Sequence, residues 1–153
     1  MSQAFVRERD GDAVFEDLPE RPISSHPNFV TPEGLARIEA ELARLQDAFS
    51  ALTPEAQADV ARVNRDLAYW TARRSSAQLV EAEPGDVVRF GSTVTILAED
   101  DSRRTYRIVG EDEADPAQGT ISYVSPMARA LTGKVVGDVV EVNGHESEIL
   151  EIA

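Results

Sequence analysis

Between residues 31 and 82 the apolar positions recur in steps of three and four. Leu35, Ile38, Leu42, Leu45, Phe49 and Leu52 make one stripe; Ala56, Val60, Val63, Leu67, Trp70 and Ala77 make a second, interrupted at Arg74. A period near 3.5 is the seam of a coiled coil, so two helices are predicted, each burying its stripe against the other. Thr31-Pro32-Glu33 and Thr53-Pro54-Glu55 announce their starts. Each supplies an N-cap hydroxyl, a proline where the missing N–H costs nothing, and an acid favoured by the positive end of the helix dipole. The second signal follows Leu52 directly, so the arms must fold back as an antiparallel αα-hairpin with a tight tip. Each arm of about 20 residues is roughly 30 Å long.

From Glu83-Pro84-Gly85-Asp86 onward the period falls to two, marking a domain boundary and a series of strands. Val88, Phe90, Val94 and Ile96 predict a strand over 87–97, and Glu99-Asp100-Asp101-Ser102 turns it into another over 104–109. Gly110 opens an acidic loop (Glu111, Asp112, Glu113, Asp115) that Gly119 closes before a strand over 120–124. Ser125-Pro126 caps a short helix over 127–131, stopped by Gly133. Asn143-Gly144 is the preferred two-residue turn between strands over 139–142 and 148–152. The predicted class is α+β: an N-terminal coiled-coil hairpin, then an antiparallel sheet carrying one short helix. Residues 1–30, rich in charge and proline without a sustained period, read as an extended, flexible leader in which Phe5, Val6, Val14 and Phe15 are the apolar points able to dock. The predicted domains are thus 1–30, 31–82 and 83–153.

Composition narrows the function. Cysteine is absent, which excludes disulfides, thiol catalysis and cysteine metal sites. No apolar run approaches the roughly 20 residues of a membrane span, and the N-terminus lacks the signature of a signal peptide, so a soluble, cytoplasmic protein with no membrane role is expected. Acidic residues number 28 against 15 lysines and arginines, a net charge of −13. That balance argues against coating nucleic-acid duplexes and favours a partner with a basic surface. His26 and His145 stand apart without ligand spacing, and no nucleophile elbow, P-loop or dinucleotide fingerprint occurs. No catalytic residue, metal site or cofactor is expected, and the protein is read as a monomer that is not an enzyme.

Several stretches carry a specific resemblance. Phe90-Gly91-Ser92-Thr93-Val94, the run from Ile108-Val109-Gly110 to Asp115, Ile121-Ser122, Ser125-Pro126-Met127-Ala128-Arg129-Ala130-Leu131, Gly133-Lys134 and Gly137-Asp138 resemble the C-terminal domain of the bacterial Gre transcript-cleavage elongation factors. Thr31-Pro32-Glu33-Gly34-Leu35 is similar to that family's opening of its coiled coil, so the likeness spans residues 31–153. It implies an FKBP-like C-terminal domain docked at the rim of the RNA polymerase secondary channel, with the coiled coil entering the channel. In the family an acidic pair at the coil tip helps hold a magnesium ion of the polymerase, which itself cleaves backtracked RNA. Here that tip motif is missing and the coil is shorter; two turns lost per arm would withdraw the tip by roughly 11 Å.

The resemblance places polymerase binding at Ser125, Pro126 and Met127 and, beside them, on Glu111, Asp112, Glu113 and Asp115; local fold alone also explains Ser125 as an N-cap and the acids as a solvated turn. At the tip, Asp47, Glu55 and Asp59 are carboxylates of the kind a divalent cation accepts, Glu55 and Asp59 sharing a helix face, although dipole and solvation account for them equally. Arg62, Arg65 and Arg73, with Tyr69 among them, line one helix face able to contact nascent RNA, or simply a solvated face. Arg74 is expected to snorkel over Trp70. Three functions remain open: a Gre-type factor that modulates elongation, with or without aiding cleavage; a non-cleaving regulator that competes for the channel; and an FKBP-like isomerase or chaperone. The last would need an aromatic-lined pocket, for which the C-terminal domain offers Phe90, Tyr106 and Tyr123.

Overall fold

The computed structural model is described for residues 18–153; Phe5, Val6, Val14 and Phe15 lie outside the described residues. The chain divides into two compact units, one of residues 18–25 with Ile38–Ser76, the other of His26–Arg37 with Ala77–Ala153. The segment 26–37 is thus grouped with the C-terminal residues.

In the helical unit, α1 (Pro32–Ala51) and α2 (Gln57–Ser76) are joined by a short link. Ile38 and Leu45 of the first stripe are buried, whereas Phe49 is 44 % exposed. Glu39, near the start of α1, pairs with Arg74, near the end of α2, at 3.0 Å. Two details differ from the periodicity. The Thr53-Pro54-Glu55 signal closes a turn, with the Ala56 N–H donating to the Thr53 carbonyl at 3.1 Å, and α2 begins only at Gln57. At its other end α2 stops at Ser76, because Gln78 and Val80 give their N–H groups to the carbonyls of Asn28 and Val30 at 2.8 and 2.9 Å. Strands β1 (Phe29–Val30) and β2 (Gln78–Leu79) thus form a small parallel pair. Arg21 lies 3.9 Å from the ring centre of Tyr69 and 3.2 Å from the Asp66 carboxylate.

The second unit is built on a five-stranded sheet ordered β5-β4-β3-β7-β6, comprising β3 (Thr93–Ala98), β4 (Arg103–Val109), β5 (Thr120–Ser122), β6 (Val139–Val142) and β7 (His145–Ile152). All neighbours are antiparallel except β4 and β5. That parallel pair corrects the all-antiparallel expectation: the acidic loop is long enough to carry the chain back to the start of the sheet edge. Period-two alternation sends Val94, Ile96, Ile108, Ile121, Val140 and Ile149 inward, where they meet Ala128 and Leu131 of α3 (Pro126–Leu131). The strand expected over 87–97 begins only at Thr93: Val87 makes an isolated bridge to Val135, and over Arg89–Ser92 the chain turns, Ser92 Oγ accepting from the Arg89 N–H at 2.9 Å and Gly91 taking φ +87°, a conformation glycine adopts without a Cβ penalty. Asn143 (φ 55°) and Gly144 (φ 80°) make the tight hairpin turn their sequence predicts.

Candidate functional site

The acidic loop between β4 and β5 is held from both ends. At its exit Asp115 caps a 3₁₀ turn (Pro116–Gln118), its Oδ1 accepting from the Ala117 N–H at 3.2 Å, and Gly119 closes the turn at φ 78°. At its entry Glu113 folds inward and is only 8 % exposed. Its carboxylate accepts the N–H of Thr31 at 3.0 Å, the N–H of Gly110 at 3.3 Å and the hydroxyl of Thr31. Glu113 is therefore spent inside the unit and is not on the face its neighbours offer. Glu111 and Asp112 are half-buried and Asp115 is exposed. Arg37 reaches the Glu113 carbonyl at 3.5 Å, and Arg107 pairs with Glu33 at 3.3 Å. The Glu33 carboxyl is held below the usual range, first by its backbone N–H and then by the Arg107 guanidinium.

From β5 the chain turns directly into α3. Ser125 Oγ accepts from the Ala128 N–H at 3.3 Å, Pro126 occupies the exposed first position, and Met127 packs against the core from its edge. Beside Met127 a hollow of about 540 Å³ opens over Ile96, Tyr106 and Val142, with Glu99, Arg104 and His145 at its rim. The Glu99 carboxyl is lowered by the backbone N–H of Glu146, at 2.7 Å, and then by His145. Tyr106 is the one Phe, Tyr or Trp residue lining this hollow among those described. Phe90 and Tyr123 instead pack with Phe29 elsewhere, ring centres 5.3 to 6.0 Å apart, and these three rings line a second hollow of about 430 Å³, so the three aromatics of the sequence reading are shared between two hollows.

In the helical unit the sequence-derived residues do not converge. Asp47 and Glu55 are exposed. Glu55 precedes the first residue of α2, so it shares no helix face with Asp59, which is ion-paired to Arg62. Among the described residues no three His, Asp or Glu side chains are grouped to hold a metal ion. The arginine stripe also breaks up: Arg62 is engaged by Asp59, Arg65 is half-buried 4.0 Å from Asp66, and Arg73 is 2 % exposed, inside the unit rather than on a solvent face. The guanidinium over Tyr69 and Trp70 belongs to Arg21, while Arg74 turns to Glu39. Sequence reading missed Arg21 and the inward turn of Glu113, because both depend on partners far along the chain. The one local sign was Gly34, an unusual residue in the first turn of a helix.

Compared with known proteins, the chain is 36 % identical over 147 residues to transcription elongation factor GreA of Bartonella henselae, covering 92 % of this chain and 91 % of that one. The chain belongs to the GreA/GreB family of transcription elongation factors. GreA of Beijerinckia indica is similar to it at 37 % identity over 149 residues, covering 92 % of this chain and 91 % of the relative. GreA of Rhodospirillum rubrum matches at 40 % over 136 residues, 74 % of this chain and 86 % of that one. The family model for the C-terminal part, "Transcription elongation factor, GreA/GreB, C-term", matches residues 83–153. In this GreA/GreB factor the loop, Ser125 and the hollow thus all fall within the matched C-terminal part. No helix among its described residues is long and apolar enough to cross a membrane.

Proposed function

We propose that this elongation factor binds RNA polymerase at its secondary channel through the C-terminal unit and modulates elongation without active-site chemistry of its own. Ser125, Pro126 and Met127, with Glu111, Asp112 and Asp115 of the acidic loop, form the docking face. The paired helices act as a coiled-coil prong. The observation that carries this reading is the near end-to-end match to GreA of Bartonella henselae, 92 % of one chain against 91 % of the other.

Within that reading, the tip favours occupation of the channel over help with cleavage. A carboxylate that assists the polymerase magnesium must be free and near a second one. Asp59 is instead held by Arg62, and Glu55 lies outside the helix that would aim it. Added to backtracked elongation complexes, the factor is expected to bind, to release no short RNA, and to displace a long-coil cleavage factor from the same complexes. Release of short RNA at a rate set by its concentration would overturn the non-cleaving assignment. Failure to bind, or binding that leaves the long-coil factor in place, would overturn the channel site.

A further inference from the structure

In an ordinary capping box, the N-cap hydroxyl accepts from the N–H at the third helical position, and a Glu or Gln side chain at that third position reaches back to the N-cap N–H. Helix α1 has half of this arrangement in cis. Thr31 is the N-cap and its Oγ1 accepts from the Gly34 N–H at 3.0 Å. The third position, however, is Gly34, which has no side chain to return the bond. The missing carboxylate comes from Glu113, 82 positions away, which takes the Thr31 N–H at 3.0 Å and also the Thr31 hydroxyl hydrogen. Gly34 makes room for it: a Cβ there would fall 2.5 Å from the Glu113 Cδ and 2.9 Å from its Oε1. Gly110 takes part in the same closure, its N–H donating to Glu113 Oε2 at 3.3 Å and its carbonyl accepting from the Glu113 N–H at 3.3 Å. The carboxylate is thus shared between the first turn of a helix and the root of the acidic loop.

We propose that Glu113 is a positioning residue that completes the cap of α1 in trans and thereby couples the state of the acidic loop to the first turn of that helix. For its consequence in transcription this rests on the docking reading: a partner that grips Glu111, Asp112 and Asp115 steadies the loop root and, through Glu113, the point from which α1 sets out. A partner that pulls the loop open leaves Thr31 and Gly110 without their acceptor.

The test uses amide hydrogen exchange on the full chain. In Glu113→Ala, the Thr31 and Gly110 amides should exchange roughly tenfold faster, the size of a lost cap, while β3 and β7 amides keep their wild-type rates. In the double variant Glu113→Ala/Gly34→Glu, a glutamate at the third helical position fits the vacated space and restores the box in cis. Thr31 should then return toward its wild-type rate while Gly110 stays fast, a split that a merely structural glutamate would not produce. Unchanged Thr31 and Gly110 rates in Glu113→Ala, or no recovery of Thr31 in a folded double variant, would overturn the proposal. Should Glu113→Ala fail to fold, Gly34→Ala displaces the carboxylate without removing it, and the same two amides must accelerate. With RNA polymerase added to the wild-type chain, slowing of the loop amides together with Thr31 supports the coupling, and slowing of the loop alone refutes it. Absence of binding would sink the docking reading and leave the cap, measured in the free chain, standing.

Discussion

The most informative single position is a glycine. Replacing glycine by alanine inside a helix ordinarily stabilises a protein by roughly 0.5–1 kcal/mol, because alanine loses less backbone freedom on folding. At Gly34 the new methyl would enter the space that the Glu113 carboxylate fills and push it away from the Thr31 and Gly110 N–H groups, and a buried donor left without its acceptor costs about 1–3 kcal/mol. Gly34→Ala is therefore expected to lower the urea midpoint, whereas a neutral or raised midpoint would show the space to be slack. Glu99 makes a second residue-level case. Its carboxylate accepts the Glu146 N–H and faces His145, and its pKa is lowered. The unfolded chain then binds a proton more readily than the folded one. The stability this supplies is fully present above the ordinary glutamate pKa of about 4.3 and is lost as pH falls through the lower folded value. Between neutral pH and acid, Glu99→Gln should show a shallower loss of stability below that point than wild type does, and parallel curves would remove Glu99 from the account.

Elements were legible wherever a signal was local. The period-two runs and Asn143-Gly144 placed β6 and β7, and Ser125-Pro126 placed α3, because alternation, a left-handed turn and a cap are decided within a few residues. The same reasoning failed where a distant partner set the outcome. Nothing near Gln78 reveals that α2 must stop to give its following N–H groups to Asn28 and Val30, or that β5 runs parallel to β4. Thr53-Pro54-Glu55 misled because a Pro-led turn and a Pro-led helix start look alike until the next hydrogen bond is known. Candidate site residues fared likewise: Ser125 was read correctly as a cap, while Arg73 and Glu113 carry charges that the sequence suggests are solvated and the fold buries. The short helix offers a measure of how far the sheet depends on it. Leu131 is fully buried among Val88, Ile108 and their neighbours, so Leu131→Ala should cost about 2–5 kcal/mol in equilibrium unfolding. A loss under 1 kcal/mol would mean that α3 is not anchored by its core side chain.

At the scale of the whole molecule, charge governs encounter. A chain of net charge −13 repels nucleic acid and is drawn toward basic protein surfaces, an effect that salt suppresses because exposed charges are screened beyond about 10 Å at 0.1 M ionic strength. The buried carboxylate of Glu113 is spent internally, which leaves Glu111, Asp112 and Asp115 among the loop acids to face a partner in the proposed complex. Asp115 also caps the 3₁₀ turn through its Oδ1, a task asparagine performs as well as aspartate, so Asp115→Asn removes charge while preserving the loop. In stopped-flow measurements with RNA polymerase, Asp112→Asn/Asp115→Asn should slow association by roughly threefold to tenfold at low salt and leave dissociation nearly unchanged, the pattern of rim charges that steer without anchoring. Raising the salt should bring mutant and wild-type association rates together. A deficit that persists at high salt, or that lies in dissociation, would mean that these acids are buried in the complex and make direct bonds there, which places the docking face deeper in the loop than proposed.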